Sequence, residues 1–298
     1  MMDGFLVLNK PLGKTSSDCV VFVRKRLPRG TAIGHGGTLD PMASGVLPVC
    51  VGAATRLFDY IIDKQKTYVA ELHLGVVTDT QDATGAVLSE ADVDVPEEAV
   101  RAVLPRFVGD ILQTPPMYSA IKRGGKRLYE LARRGESVEI APRPCHVDDV
   151  RLTARLGKNR YQLEIDCGKG VYIRTLCNDI GAALGCGGHM AALMRTRAGV
   201  FALENALTLE DVEALGTEDL EKRLLPMDAA IAHLPAVHAA ACHRAAARNG
   251  MPLRAQWLDA PAPDAAAVRV YVGKEFAGVG APQADGSVRF RAMLLRAN

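Results

Sequence analysis

No apolar run in the sequence approaches the roughly 18 residues that a membrane-crossing helix requires. The opening stretch Met-Met-Asp-Gly-Phe-Leu-Val-Leu-Asn-Lys is acidic early and carries no signal-peptide cleavage pattern, so a cytoplasmic protein without a membrane partner is expected. Cys-x-x-Cys pairs are missing, and the seven cysteines are odd in number and scattered. Cys177, Cys186 and His189 lie close enough in sequence to raise a zinc site, but their spacing matches no common pattern and no fourth ligand presents itself. Buried thiols in a reducing compartment are the better reading, and no metal is expected. Also missing are a phosphate-binding loop, a dinucleotide fingerprint, a metal pair and a Ser/His/Asp elbow. General motif chemistry therefore leaves the enzyme class open and points to no cofactor. There is neither an internal repeat nor a low-complexity tail.

Charge of one sign is scarce as well. A net charge of +2 is too small to announce nucleic acid by itself. Its distribution says more: Arg24-Lys25-Arg26 with Arg29, Lys122-Arg123 with Lys126-Arg127, Arg133-Arg134, and Arg195 with Arg197 stand out in a nearly balanced chain. Such clusters are able to meet phosphates, although solvated surface is their commoner role.

At 298 residues the chain is long enough for a large domain with a small companion. Ser16-Ser17-Asp18 offers caps for a helix that carries Val20, Val23 and Leu27 on one face and stops at Pro28-Arg29-Gly30. Tyr68, Ala70, Leu72 and Leu74 alternate with polar residues as in a half-buried strand, and Tyr161, Leu163, Ile165 and Cys167 do the same. Pro96 opens a helix that Pro105 closes, and Thr208 with Asp211 resembles a capping box. Val171–Thr175 reads as extended after the Gly168-Lys169-Gly170 turn, which places Tyr172 and Arg174 on one face at period 2. Helices and strands do not alternate regularly, so the fold class is mixed α+β. Composition shifts near Pro226, and short strands with Gly-rich turns follow Val268, which marks a small β-rich unit over about 229–298.

Three glycines and a proline within Gly34-His35-Gly36-Gly37-Thr38-Leu39-Asp40-Pro41 read as a loop. On general grounds Asp40 is a turn-former or helix cap. The whole string, continuing to Met42-Ala43-Ser44-Gly45-Val46-Leu47-Pro48, closely resembles the active-site motif of the TruB family of bacterial tRNA pseudouridine-55 synthases. Five further blocks follow the family in order. They are Leu8-Asn9-Lys10-Pro11, Lys66-Thr67-Tyr68, the run from Gln113-Thr114-Pro115-Pro116-Met117-Tyr118 to Leu128-Tyr129-Glu130, Gly170-Val171-Tyr172-Ile173-Arg174-Thr175, and Gly188-His189-Met190 to Arg195-Thr196. One departure stands out: family members usually carry Thr where this chain has Gly36.

The resemblance implies a mainly antiparallel catalytic domain of pseudouridine-synthase type over 1–228, an RNA-gripping thumb over about 113–142, and a PUA-like RNA-binding domain over 229–298. It implies isomerisation of the T-loop uridine at position 55 of tRNA by base flipping, by a monomer, with no cofactor. Asp40 would be the nucleophile, Arg174 the arginine paired with it, and Tyr68 the ring that stacks on uracil and handles the proton. Tyr172 and Leu193 would line the uridine pocket and His35 would contact the opened loop. Lys10, Lys122, Lys126, Arg127 and Arg195 would bind RNA. Whether Asp40 adds to the base or to the sugar is left open. The rival readings are a guide-RNA-dependent relative and a non-catalytic RNA-binding protein or tRNA-folding chaperone on the same scaffold.

Overall fold

The computed structural model describes every residue except 1, 63, 64, 120, 124, 125, 129, 130, 132, 133, 135, 137, 297 and 298, and describes only the backbone at 62, 122, 123, 126 and 127. Its centre is a sheet of nine strands, β1 (Gly4–Lys10), β2 (Ile33–His35), β3 (Ala43–Val51), β4 (Lys66–Leu74), β5 (Gly109–Gln113), β6 (Arg143–Gly157), β7 (Arg160–Cys167), β8 (Gly188–Ala198) and β9 (Phe201–Ala202). The spatial order is β1-β3-β8-β4-β7-β6-β5, with β2 beside β3 and β9 beside β8. Every pairing is antiparallel except that of β8 with β3. The expected α+β class and mainly antiparallel sheet are what the chain forms.

Alternation places the core. Tyr68, Ala70, Leu72 and Leu74 of β4 are buried, and Ile165, Leu163 and Tyr161 of β7 sit opposite the first three of them. Two helices pack against this face. α2 (Glu97–Val103) buries Val100 and Val103, and α3 (Ile173–Ala183) buries Ile173, Leu176, Cys177 and Ile180 in the same cluster. Burying each large aliphatic side chain contributes about 1.5–3 kcal/mol. The opposite flank of β1 and β3 is covered by α1 (Ser16–Arg24) through Cys19 and Val23.

The extended reading of Val171–Thr175 was wrong. Gly170, with φ +85°, turns the chain, Tyr172 takes the extended N-cap position, and Arg174 lies in the first turn of α3. Ile173, Leu176, Cys177 and Ile180 recur at i, i+3, i+4 and i+7, a helical stripe that a five-residue window cannot distinguish from period 2. The first helix is also shorter than expected. Thr15, not Ser16, caps it, with Asp18 completing a reciprocal box, and it ends at Arg24 well before Pro28. The loop expected from Gly34 begins after His35, because Ile33–His35 pairs with Val49–Val51.

Between β3 and β8 the backbones come very close. Gly45 faces Arg195 in the parallel register at φ +100°, and a Cβ there would overlap the Arg195 carbonyl oxygen. A second sheet follows, ordered β10 (Ala236–Ala239), β11 (Val268–Val272), β12 (Glu275–Pro282) and β13 (Val288–Met293). It has its own core around Val237, Val268, Val270 and Val288. Val279, Ala292 and Leu294 also join Phe5, Val46 and Phe201 in one cluster, which ties this sheet to the first.

Candidate active site

Asp40 stands in the 36–42 loop between β2 and β3, and several backbone groups of that loop are held by residues outside it. The Gly36 N–H donates to the Pro48 carbonyl at 2.7 Å. Ser16 Oγ accepts from the Leu39 N–H at 2.9 Å and donates to the Leu39 carbonyl at 3.0 Å. The Gly13 N–H donates to the Pro41 carbonyl at 2.8 Å, and the Ala43 N–H to that of Asp40 at 3.0 Å. Two cations complete the frame. Lys10 Nζ donates to the carbonyls of Lys14 at 2.7 Å, Pro11 at 2.9 Å and Pro41 at 3.5 Å. Arg195 donates from Nε to Val46 O at 2.8 Å and from Nη1 to Thr38 O at 3.3 Å.

Those two residues correct the expectation that they bind RNA. Lys10 is fully buried and Arg195 is 1% exposed. Burial pushes the Lys10 ammonium below the ordinary lysine pKa, opposed by nearby Cys19 and Asp40. Lys10 Nζ and the Nε and Nη1 of Arg195 donate to carbonyls of the Asp40 loop and its flanks, which makes both residues parts of the frame.

The Asp40 carboxylate is 40% exposed, whereas the Arg174 side chain beside it is 7% exposed. Arg174 Nη2 lies 3.0 Å from Asp40 Oδ2 and also donates to the Tyr118 carbonyl at 2.9 Å. Its Nη1 faces Asp82 Oδ2 at 3.3 Å and the Thr80 carbonyl at 3.4 Å. Asp82 is buried, and its other oxygen accepts from Thr80 Oγ1 at 2.8 Å, Thr84 N–H at 2.9 Å and Thr84 Oγ1 at 2.6 Å. A guanidinium fixed on both sides cannot swing, so the orientation of Asp40 is set as well.

Two cavities meet at this ion pair. One, of about 590 Å³, has walls from Tyr68, Tyr172, Leu193 and Arg195 with Asp40 and Arg174 between them. The other, of about 860 Å³, is lined by His35, Thr38, Asp79 and Asp82 on the far side of Asp40. Burial pushes the Tyr68 phenol pKa up, with Arg195 opposing, and burial raises Tyr172 too. Burial lowers His35, and Arg195 lowers it further, so its imidazole is neutral at pH 7. Leu193 pairs across to Ala70 and Ala43, which puts it next to the pocket and in the core at once.

The structure thus places Asp40, Tyr68, Tyr172, Arg174 and Leu193 around one cavity, and His35 with Asp40 and Arg174 around the other. Lys122–Arg123 pairs with Lys126–Arg127 as a short hairpin, and the side chains of Lys122, Lys126 and Arg127 lie outside the described residues. The Cys177, Cys186 and His189 alternative finds no support: among the described residues no group of three His, Cys, Asp or Glu side chains is placed to hold a metal. The Cys177 thiol is pushed up to about 12 by burial. Asp82 and Ser16 were missed. The one legible signal for Asp82 was its flanking by Thr80 and Thr84, two hydroxyls placed to satisfy a buried carboxylate.

Gly36 has a physical explanation in this chain. A Cβ at that position would lie 2.5 Å from Ile61 Cδ1 and 3.4 Å from Pro48 Cβ. Buried Ile61 occupies the space that a larger residue would need.

An oriented, half-exposed carboxylate thus stands between two cavities, on a mixed sheet flanked by a small β unit. Comparison with known proteins specifies the family. Residues 25–173 match the family described as TruB family pseudouridylate synthase (N terminal domain), and residues 174–232 match the tRNA pseudouridylate synthase B C-terminal domain. The chain belongs to the TruB family of pseudouridylate synthases. It is 46% identical to the tRNA pseudouridine synthase B of Dechloromonas aromatica over 96% of this chain and 93% of that one. Identity to the protein of the same name from Azoarcus sp. is 44%, over 99% and 95%. Among solved structures it is similar to a chain of a Cbf5-Nop10-Gar1 complex, with TM-score 0.72 and 31% identity over 94% of this chain and 78% of that chain. It is also similar to a chain of an H/ACA RNP bound to a substrate RNA containing 2'-deoxyuridine, with TM-score 0.74 and 28% identity over 98% and 85%.

Proposed function

We propose that the chain is a tRNA pseudouridine synthase that isomerises the T-loop uridine at position 55, acts as a monomer in the cytoplasm, and uses Asp40 as its nucleophile. The observation that carries this is the Asp40–Arg174 pair at the wall of a cavity lined by Tyr68 and Leu193. Identity of 42–46% to proteins named tRNA pseudouridine synthase B, against 27–31% to the Cbf5 and H/ACA chains, favours tRNA over a guide-RNA-directed target.

Flipping the uridine out of its loop costs a few kcal/mol of unstacking. The flat walls of Tyr68 and Leu193 offset it by taking the base from water. Asp40, held by Arg174, assists cleavage of the bond between the sugar and N1. The base turns and rejoins through C5, and the proton lost from C5 is matched by one gained at N1, so no atom enters or leaves. Tyr68 keeps its phenolic proton at neutral pH, because burial raises its pKa, and serves as the stacking ring and proton carrier. His35, neutral and in the adjoining cavity, contacts the opened loop. The 113–142 segment grips the T stem through Lys122, Lys126 and Arg127, and the 229–298 unit is a PUA-like RNA-binding domain.

The test is pseudouridine formation in an unmodified tRNA transcript, with the modified position mapped, for the wild type and Asp40→Asn. Modification at the T-loop uridine by the wild type alone, with tRNA binding kept in the variant, is the expected result. Binding by a wild type that never modifies would replace this reading with that of an RNA chaperone.

A further inference from the structure

Gln113, the last residue of β5, is 2% exposed and sits at the root of the 113–142 segment. Its side-chain amide grips one residue at both ends. Oε1 accepts from the Tyr172 N–H at 3.0 Å, and Nε2 donates to the Tyr172 carbonyl at 3.3 Å. The Cys145 thiol, on the neighbouring strand β6, approaches the same Oε1 at 3.5 Å. Tyr172 is the N-cap of α3 and has no side-chain cap of its own, so this contact fixes where the helix begins. Arg174 follows two residues later. Five residues beyond Gln113, the Tyr118 carbonyl accepts from Arg174 Nη2, the same nitrogen that pairs with Asp40.

We propose that Gln113 is a positioning residue for the reaction: it ties the root of the 113–142 segment to the first turn of α3 and thereby sets the Arg174–Asp40 geometry. A buried amide that satisfies both backbone groups of a single residue holds it in position and in rotation. The proposed reaction uses Arg174, and the backbone leading into it is held at Tyr172 by Gln113 together with the Leu176 N–H, which donates to the Tyr172 carbonyl at 3.0 Å. Gln113 lines the same cavity as Tyr68, yet its polar atoms are engaged with Tyr172. A shift of the root would therefore reach Arg174 along two paths, through Gln113 to Tyr172 and through the Tyr118 carbonyl.

This inference rests on the proposed function, and its test separates the two. Wild-type protein, Gln113→Met and Gln113→Glu are compared for single-turnover pseudouridine formation, for tRNA affinity and for thermal midpoint. Methionine keeps the length and loses both hydrogen bonds; glutamate keeps the acceptor for the Tyr172 N–H and loses the donor to its carbonyl. The expected result is a rate loss on the order of 10- to 100-fold for Gln113→Met, because small misplacements cost that much. Gln113→Glu should fall between it and the wild type, with tRNA affinity within about 3-fold throughout. Should Gln113→Met fail to fold, the rate of Gln113→Glu at unchanged affinity decides. A folded variant with the wild-type rate, or one whose loss lies wholly in affinity, overturns the inference. A wild type that makes no pseudouridine overturns the proposed function instead.

Discussion

Replacing Asp82 by asparagine separates what fixes the site from what reacts in it. The Asp82 oxygen that takes three hydrogen bonds from Thr80 and Thr84 is matched by the asparagine carbonyl. In place of the other oxygen, an NH₂ then faces Arg174 Nη1, donor against donor, inside a region where both side chains are at most 7% exposed. Leaving a buried guanidinium short of one partner costs about 3 kcal/mol. For a chain of 298 residues that lowers the melting midpoint by roughly 5 °C. Asp40→Asn removes a partner that is 40% exposed, so its cost in stability should stay under about 1 kcal/mol. Activity should respond in a different order: Asp40→Asn abolishes turnover, and Asp82→Asn slows it by about 100-fold through a tilted Arg174. Calorimetric melting and single-turnover pseudouridine formation on the three proteins give both readings. An Asp82→Asn protein that melts with the wild type, or that melts early and turns over normally, would refute the idea that Asp82 holds Arg174 in register.

Further expectations follow from the same geometry. Gly36→Thr should cost about 1–2 kcal/mol by crowding Ile61, and Ile61→Val, which lacks the offending Cδ1, should recover most of it; urea unfolding of the four proteins in the cycle measures the coupling, and simple additivity would dismiss it. Arg195→Lys should cut turnover at least about 10-fold while leaving tRNA affinity and its salt slope unchanged, because one ammonium cannot span the Val46 and Thr38 carbonyls. Lys126→Ala should instead lower the slope of log affinity against log salt by about 1, and a flat slope in the wild type would remove the phosphate role of that hairpin. His35 has its pKa lowered from 6.5 in the folded state, so protonation favours the unfolded chain: stability is complete above pH 6.5 and falls as the pH drops below it. His73, lowered by burial and by His189, acts in the same direction, so His35→Asn should shrink the acid-side fall in the denaturation midpoint without removing it.

Antiparallel strands with one buried face write their geometry into the sequence, which is why the faces of β4 and β7 could be read residue by residue. Asp40 was legible only through the longer string around it, since a single carboxylate before a proline is ordinary. Arg174 was placed on the wrong element, because Tyr172-Ile173-Arg174 satisfies period 2 until Leu176, Cys177 and Ile180 are counted with it. Lys10 and Arg195 misled for a different reason. A cation is expected at the surface, and nothing in the sequence beside it shows that the Pro41 carbonyl will close over Lys10 or those of Val46 and Thr38 over Arg195. Asp82 and Gln113 act through partners 92 and 59 positions away, respectively, and such distances leave no local trace.

The place of β8 has a consequence for how the site is assembled. β3 and β4 are successive strands of the main sheet beyond β2, yet they do not touch; β8, made more than a hundred residues later, lies between them and brings Arg195 to the Asp40 loop. Without β8, β3 and β4 have no strand to join them in the sheet. Asp40, just before β3, and Tyr68, on β4, stand on either side of the strand that carries Leu193 and Arg195. The Arg174 contacts that orient Asp40 come from residues before that strand, whereas the Arg195 contacts that frame its loop come only with it, so the site is completed from two separate stretches of chain.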